Sequence, residues 1–86
     1  MQHILVCDDE RDIVAALKIY LEADGYHVLT ASNGRDALKI VREEPVQLAL
    51  MDIMMPGMDG ITAMAKLREF SNIPVILLTA KSEDSD

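Results

Sequence analysis

Val46-Gln47-Leu48-Ala49-Leu50-Met51-Asp52 is an apolar run closed by a carboxylate, and the chain then enters Ile53-Met54-Met55-Pro56-Gly57-Met58-Asp59-Gly60, a stretch rich in chain breakers. A short run of this kind, bounded by turn residues, reads as a strand buried on both faces, as in a parallel sheet. Asp52 then sits at the carboxyl end of that strand, where open α/β sheets place their ligand crevices. His3-Ile4-Leu5-Val6-Cys7, followed by Asp8 and Asp9, repeats the pattern. Two strand ends therefore present three carboxylates to one edge.

Working outward from these runs, strands and helices alternate. Ile13, Ala16, Leu17, Tyr20 and Leu21 recur at helical spacing, and Gly25 supplies a C-terminal stop, which predicts a first helix over Arg11 to Ala23. Tyr26-His27-Val28-Leu29-Thr30-Ala31 has the β-branched and aromatic content of a strand. Ser32-Asn33-Gly34 turns the chain into a second helix carrying Ala37, Leu38 and Val41, which Pro45 ends. A third helix is predicted near Ile61, Met64, Ala65 and Leu67, and a fourth strand over Pro74 to Thr79. The order βαβαβαβ with short connections implies an α/β fold, a flavodoxin-like doubly wound parallel sheet of strand order 2-1-3-4. The first and third strands are neighbours in that order. Asp8, Asp9 and Asp52 would meet between them, with Thr79 at the border.

Composition narrows the function classes. The 86 residues suffice for one domain, 1–86, that buries roughly 60 to 65% of its unfolded surface. Half the residues are hydrophobic but few are aromatic, so the core must be aliphatic, which suits helices packed on a parallel sheet. The formal charge of −7 would repel a phosphate backbone, so direct nucleic-acid binding by this segment is not expected. A single cysteine makes no internal disulfide, and the N-terminus runs straight into a strand with no signal-peptide pattern; the expectation is a cytoplasmic protein. No run approaches the roughly 20 apolar residues of a membrane span.

Crowding three carboxylates should raise the pKa of at least one of them and make the set titrate together. A divalent cation relieves that repulsion. Mg²⁺ fits better than Zn²⁺, because the cluster offers only oxygen, with no Cys or His at ligand spacing. Mg²⁺ in turn points to phosphoryl chemistry, with a carboxylate as nucleophile and an aspartyl phosphate as product. Each residue also has a plainer role to weigh. Asp9 could cap the first helix, and Asp59-Gly60 could simply turn the chain into the third. Met54, Met55 and Met58 read as loop packing, since hard cations avoid sulfur. Cys7 reads as a small buried hydrophobe, and His3 and His27 as exposed strand residues.

The residues also match a family. Ile4-Leu5-Val6-Cys7-Asp8-Asp9-Glu10, Met51-Asp52-Ile53-Met54-Met55-Pro56-Gly57-Met58-Asp59-Gly60 and Leu78-Thr79-Ala80 resemble the acidic, phosphorylation-loop and switch motifs of the receiver domain of bacterial two-component response regulators. The resemblance implies a signalling phosphoacceptor rather than an enzyme, with at most self-catalysed phosphotransfer and dephosphorylation. It implies Asp52 as the acceptor, a sensor histidine kinase as donor, Asp9 as main Mg²⁺ ligand with Asp8 supporting, and Met54 giving a backbone carbonyl to the metal. It also implies Thr79 as the residue that bonds the phosphoryl oxygen and switches, with Ala80 leaving room beside it. The loop's wording resembles the OmpR/PhoB-like subclass, which carries a winged-helix DNA-binding partner and controls transcription.

Receivers continue through a fourth helix, a fifth strand ending in a lysine, and a fifth helix, none of which these 86 residues contain. The expectation is thus a receiver that is C-terminally incomplete. Lys81 reads as a solvated loop lysine and is not given the missing role. The fourth strand would be left as a bare apolar edge, so self-association through it or exchange of elements is expected. Two rivals are a Mg²⁺-dependent phosphohydrolase, disfavoured because Met54 stands where a second Asp would, and a flavin carrier, whose phosphate Asp8, Asp9 and Glu10 would repel.

Overall fold

In a computed structural model, which describes residues 2–78, the four apolar runs become strands β1 (His3–Cys7), β2 (His27–Ala31), β3 (Leu48–Asp52) and β4 (Val75–Leu78). Between them lie helices α1 (Arg11–Ala23), α2 (Gly34–Glu43) and α3 (Gly60–Leu67). All three strand pairs are parallel and the order is β2-β1-β3-β4, the α/β arrangement that the sequence predicts. Cys7 stands opposite both Ala31 and Met51, and Asp52 opposite Leu78. That register sets the acidic ends of β1 and β3 side by side.

Alternation along each strand divides the core into two layers. Leu5, Cys7, Ala49 and Met51 face α2 and α3, packing with Ala37, Ala63, Val46 and Met55. Ile4, Val6 and Val28 face α1, where Val14, Leu17 and Leu21 lie against them. Gly25, with φ of +92°, ends α1 in a conformation that L side chains rarely adopt, as its place after the last apolar turn predicts.

Several boundaries and faces differ from the sequence reading. Tyr26 lies outside β2, because its N–H donates to Leu21 O and closes the end of α1. β3 begins at Leu48 rather than Val46 and includes Asp52; Val46 is buried, but its N–H is taken by Glu44 O. On α3 the buried residues are Gly60, Ala63 and Leu67, whereas Ile61 is exposed. On α1 no residue is fully buried, and Ile13 and Tyr20 turn away from the layer that Val14, Leu17 and Leu21 complete. His3 is half-buried, not exposed. Thr79, Ala80 and Lys81 lie outside the described residues.

Candidate functional site

Asp8, Asp9 and Asp52 converge as the topology requires, each offering one carboxylate oxygen such that all three atoms lie within 4.8 Å of one another. Asp8 and Asp52 are each only 5% exposed, while Asp9 is open to solvent. Local backbone holds the two buried groups. Asp8 Oδ1 accepts the N–H of Glu10 at 2.9 Å, and Asp52 Oδ1 accepts the N–H of Met54 at 3.3 Å. Asp9 does not cap α1: the N-cap position is Glu10, which makes no side-chain cap bond. Its carboxylate belongs to the crevice instead.

The loop after Asp52 is fixed at both ends. Ile53 N–H donates to Leu78 O at 3.2 Å, and Gly60 N–H donates to Ile53 O at 2.9 Å. A Cβ at Gly60 would collide with the backbone of Asp52 and Ile53, so only glycine lets α3 start this close to the end of β3. Asp59 caps α3 through its carboxylate, which accepts Thr62 N–H at 2.7 Å, so the turn reading of Asp59-Gly60 holds and gains a cap. Met55 is buried among Cys7, Ala31 and Met51, and Met58 packs beside the same cluster, in keeping with packing rather than ligation. Met54 is 67% exposed and comes to the rim of the crevice.

Electrostatics follow from burial and crowding. The Asp8 carboxyl is raised above its ordinary value, chiefly because burial disfavours its charge, and further by Asp52 and Asp9; the Glu10 N–H works against the shift. One carboxylate of the set is thus biased toward the proton, with burial the larger cause and the crowding expected from the sequence a smaller one. The Cys7 thiol is pushed up to about 12 by burial and then by the same acids, which leaves it inert as a nucleophile. Its Sγ lies 3.3 Å from Asn33 O and 3.5 Å from Met55 Sδ, the surroundings of a packed hydrophobe.

A donor set of carboxylate oxygens, two of them held by backbone bonds, fits a hard divalent cation such as Mg²⁺. What sequence reasoning missed is the other wall of the crevice. Ile13, Leu17 and Tyr20 of α1 line a groove of about 600 Å³ with the acids and with Met54 and Leu78. The i, i+4, i+7 spacing of those three residues carries the signal, but the apolar set at helical spacing also takes in Leu21 of the core-facing stripe, so the groove wall does not stand out as a separate face.

The model of the response regulator receiver domain matches residues 4–86. The chain belongs to this family. The receiver is 43% identical over 83 residues to the transcriptional regulatory protein SrrA of Staphylococcus aureus, covering 96% of this chain and 34% of that one. It spans about a third of the length of the curated relatives it matches. Among solved structures it resembles the response regulator TrrA of Thermotoga maritima in complex with Mg²⁺-BeF, at TM-score 0.88 and 41% identity, over 95% of this chain and 72% of that one. The complex of the histidine kinase ThkA with TrrA aligns with TM-score 0.89 and 41% identity, over 100% of this chain and 76% of that one.

Proposed function

We propose that the receiver accepts a phosphoryl group on Asp52 from the phosphohistidine of a sensor histidine kinase, with Mg²⁺ held by Asp8, Asp9, Asp52 and the backbone carbonyl of Met54. The observation that carries this reading is the convergence of three carboxylate oxygens within 4.8 Å at the ends of β1 and β3. TrrA, similar to this chain, was solved with Mg²⁺-BeF and with its kinase, which supports the same metal and the same class of partner here.

An Asp52 carboxylate oxygen forms the new P–O bond as the P–N bond to the donor imidazole breaks, its electron pair returning to the ring nitrogen. Magnesium, when bound, neutralises charge on the transferred group and on the acceptor that must approach it. Met54 N–H, on one Asp52 oxygen, orients the carboxylate for that approach. Burial of Asp8 and Asp52 strengthens every charge interaction in the crevice, and exposed Asp9 is the group that first meets an incoming cation. Thr79 bonds a phosphoryl oxygen and passes the change to the rest of the fold. The domain acts on itself and turns over no separate substrate.

As part of a longer OmpR/PhoB-like regulator, the switched receiver governs transcription in the cytoplasm, a reading that SrrA's description as a transcriptional regulatory protein supports. No helix among the described residues is long and apolar enough to cross a membrane. The strongly acidic balance leaves DNA contact to another domain. A polypeptide of these 86 residues alone would also self-associate: β4 pairs only with β3 among the described strands, and Ile76 on it is 50% exposed. Size exclusion over a concentration series tests that point, and a sample that stays monomeric throughout would count against it.

Incubation with Mg²⁺ and a small-molecule phosphodonor, read by intact mass, tests the main proposal. One added phosphoryl group is expected, lost in Asp52→Asn. Persistence of the adduct in that variant would assign the acceptor elsewhere.

A further inference from the structure

We propose that His3 and His27 form a second metal site, a two-histidine clamp for a borderline divalent transition metal ion of the Zn²⁺ class, at the opposite end of the sheet from the carboxylates. The chain has two histidines, and the fold places both at paired positions on neighbouring strands. Their ring centroids lie 4.8 Å apart at an interplanar angle of 64°. Two imidazoles this close can turn about their Cβ–Cγ bonds to aim one nitrogen each at a common point, at the roughly 2.0–2.1 Å that Zn²⁺ takes from nitrogen.

The backbone beneath the pair is already fixed. His3 N–H donates to Gln47 Oε1 at 2.8 Å, His27 N–H donates to Gln2 O at 2.8 Å, and Gln47 N–H donates to His3 O at 2.9 Å. Binding therefore orders two rings rather than two strands. His27 is exposed and His3 half-buried, so an ion from solvent reaches both, and water completes its coordination.

Ligand chemistry separates this site from the crevice. Imidazole nitrogen suits Zn²⁺, Ni²⁺ and Cu²⁺, whereas Mg²⁺ prefers the carboxylate oxygens. Five residue steps of about 3.3 Å separate His3, at the start of β1, from Asp8 just past its end, which sets the two sites roughly 16 Å apart. The clamp thus stands independently of the phosphoacceptor reading.

The test is a titration of the full chain with ZnCl₂ under saturating Mg²⁺, followed by calorimetry and by the imidazole ring signals in NMR. One Zn²⁺ per chain is expected, with both rings shifting together. His27→Gln, at an exposed position, should weaken the affinity by about tenfold or more while the protein remains folded and still stabilised by Mg²⁺. His3→Gln should do the same. Zn²⁺ that Mg²⁺ displaces, a response from one ring alone, or unchanged affinity in His27→Gln would each overturn the proposal.

Discussion

The two faces of the sheet are built to different standards of closure. Against α2 and α3, Leu5, Cys7, Ala49, Met51, Ala37, Ala63 and Leu67 are all fully sealed from solvent. Against α1, a single helix with no fully buried residue covers the strands, and Tyr20 at 74% and Ile76 at 50% exposure stand open. The closed layer holds the strand ends in register, and the half-open layer leaves an apolar wall beside the acids. Rigidity and access are thus supplied by opposite sides of one sheet.

The sharpest test of this contrast pairs Leu5 with Ile76. Leu5→Ala removes a side chain at the centre of the closed layer, for an expected loss of about 2–5 kcal/mol, a large fraction of the roughly 5–15 kcal/mol a domain has. Ile76→Ala, on the open face, should cost well under half as much. Urea denaturation of both variants decides it. Equal losses would mean that the open face carries as much of the stability as the closed one, and the comparison would fail.

The crevice between the faces responds to metal and charge. Mg²⁺ at about 100 times its dissociation constant should add about 2.7 kcal/mol to the stability of the wild type. Asp52→Asn should raise the metal-free melting temperature, by removing a buried charge beside two others, and should blunt the gain from Mg²⁺. Calorimetric melts with and without the ion read both effects. Unchanged melting temperatures in the two experiments would separate the carboxylates in solution, whatever their spacing in the fold.

Much of the frame is legible in the sequence, for physical reasons. Strands buried on both faces leave continuous apolar runs, and the α1 boundaries follow from a periodic stretch ended by Gly25. Asp8, Asp9 and Asp52 are legible because each ends or follows such a run, and topology does the rest. The face of α3 is not. Ile61 looks like core, yet the rotation of the helix is set by Gly60 against the Asp52 backbone, which buries Ala63 and Leu67 in line with it and leaves Ile61 outside. Small residues that allow close approach give no hydrophobic signal. On α1 two apolar stripes share Leu17, and hydropathy alone does not say which one meets the sheet. The His3–His27 pair is invisible in the sequence for a different reason, since only strand register brings the two together.

The smallest expected effect lies on the closed face, at the cap of α3. Asp59 is held below its ordinary value of 3.8, first by the backbone N–H of Thr62, so the folded state favours its charged form. A carboxylate with a depressed folded-state pKa contributes stability that is present above its unfolded value and lost as the pH falls through the folded one. Asp59→Ala should therefore lower the melting temperature at neutral pH, and its gap from the wild type should narrow below about pH 4. Asp59→Asn keeps a neutral acceptor, so it should lose less than Asp59→Ala at neutral pH; its gap from the wild type should also narrow in acid, while the difference between the two variants stays constant with pH. Because the cap also sets the start of α3 beside the Asp52 backbone, a gap for Asp59→Ala that stayed constant into acid would mean that side-chain packing, and not the charged hydrogen bond, anchors the closed layer at the crevice.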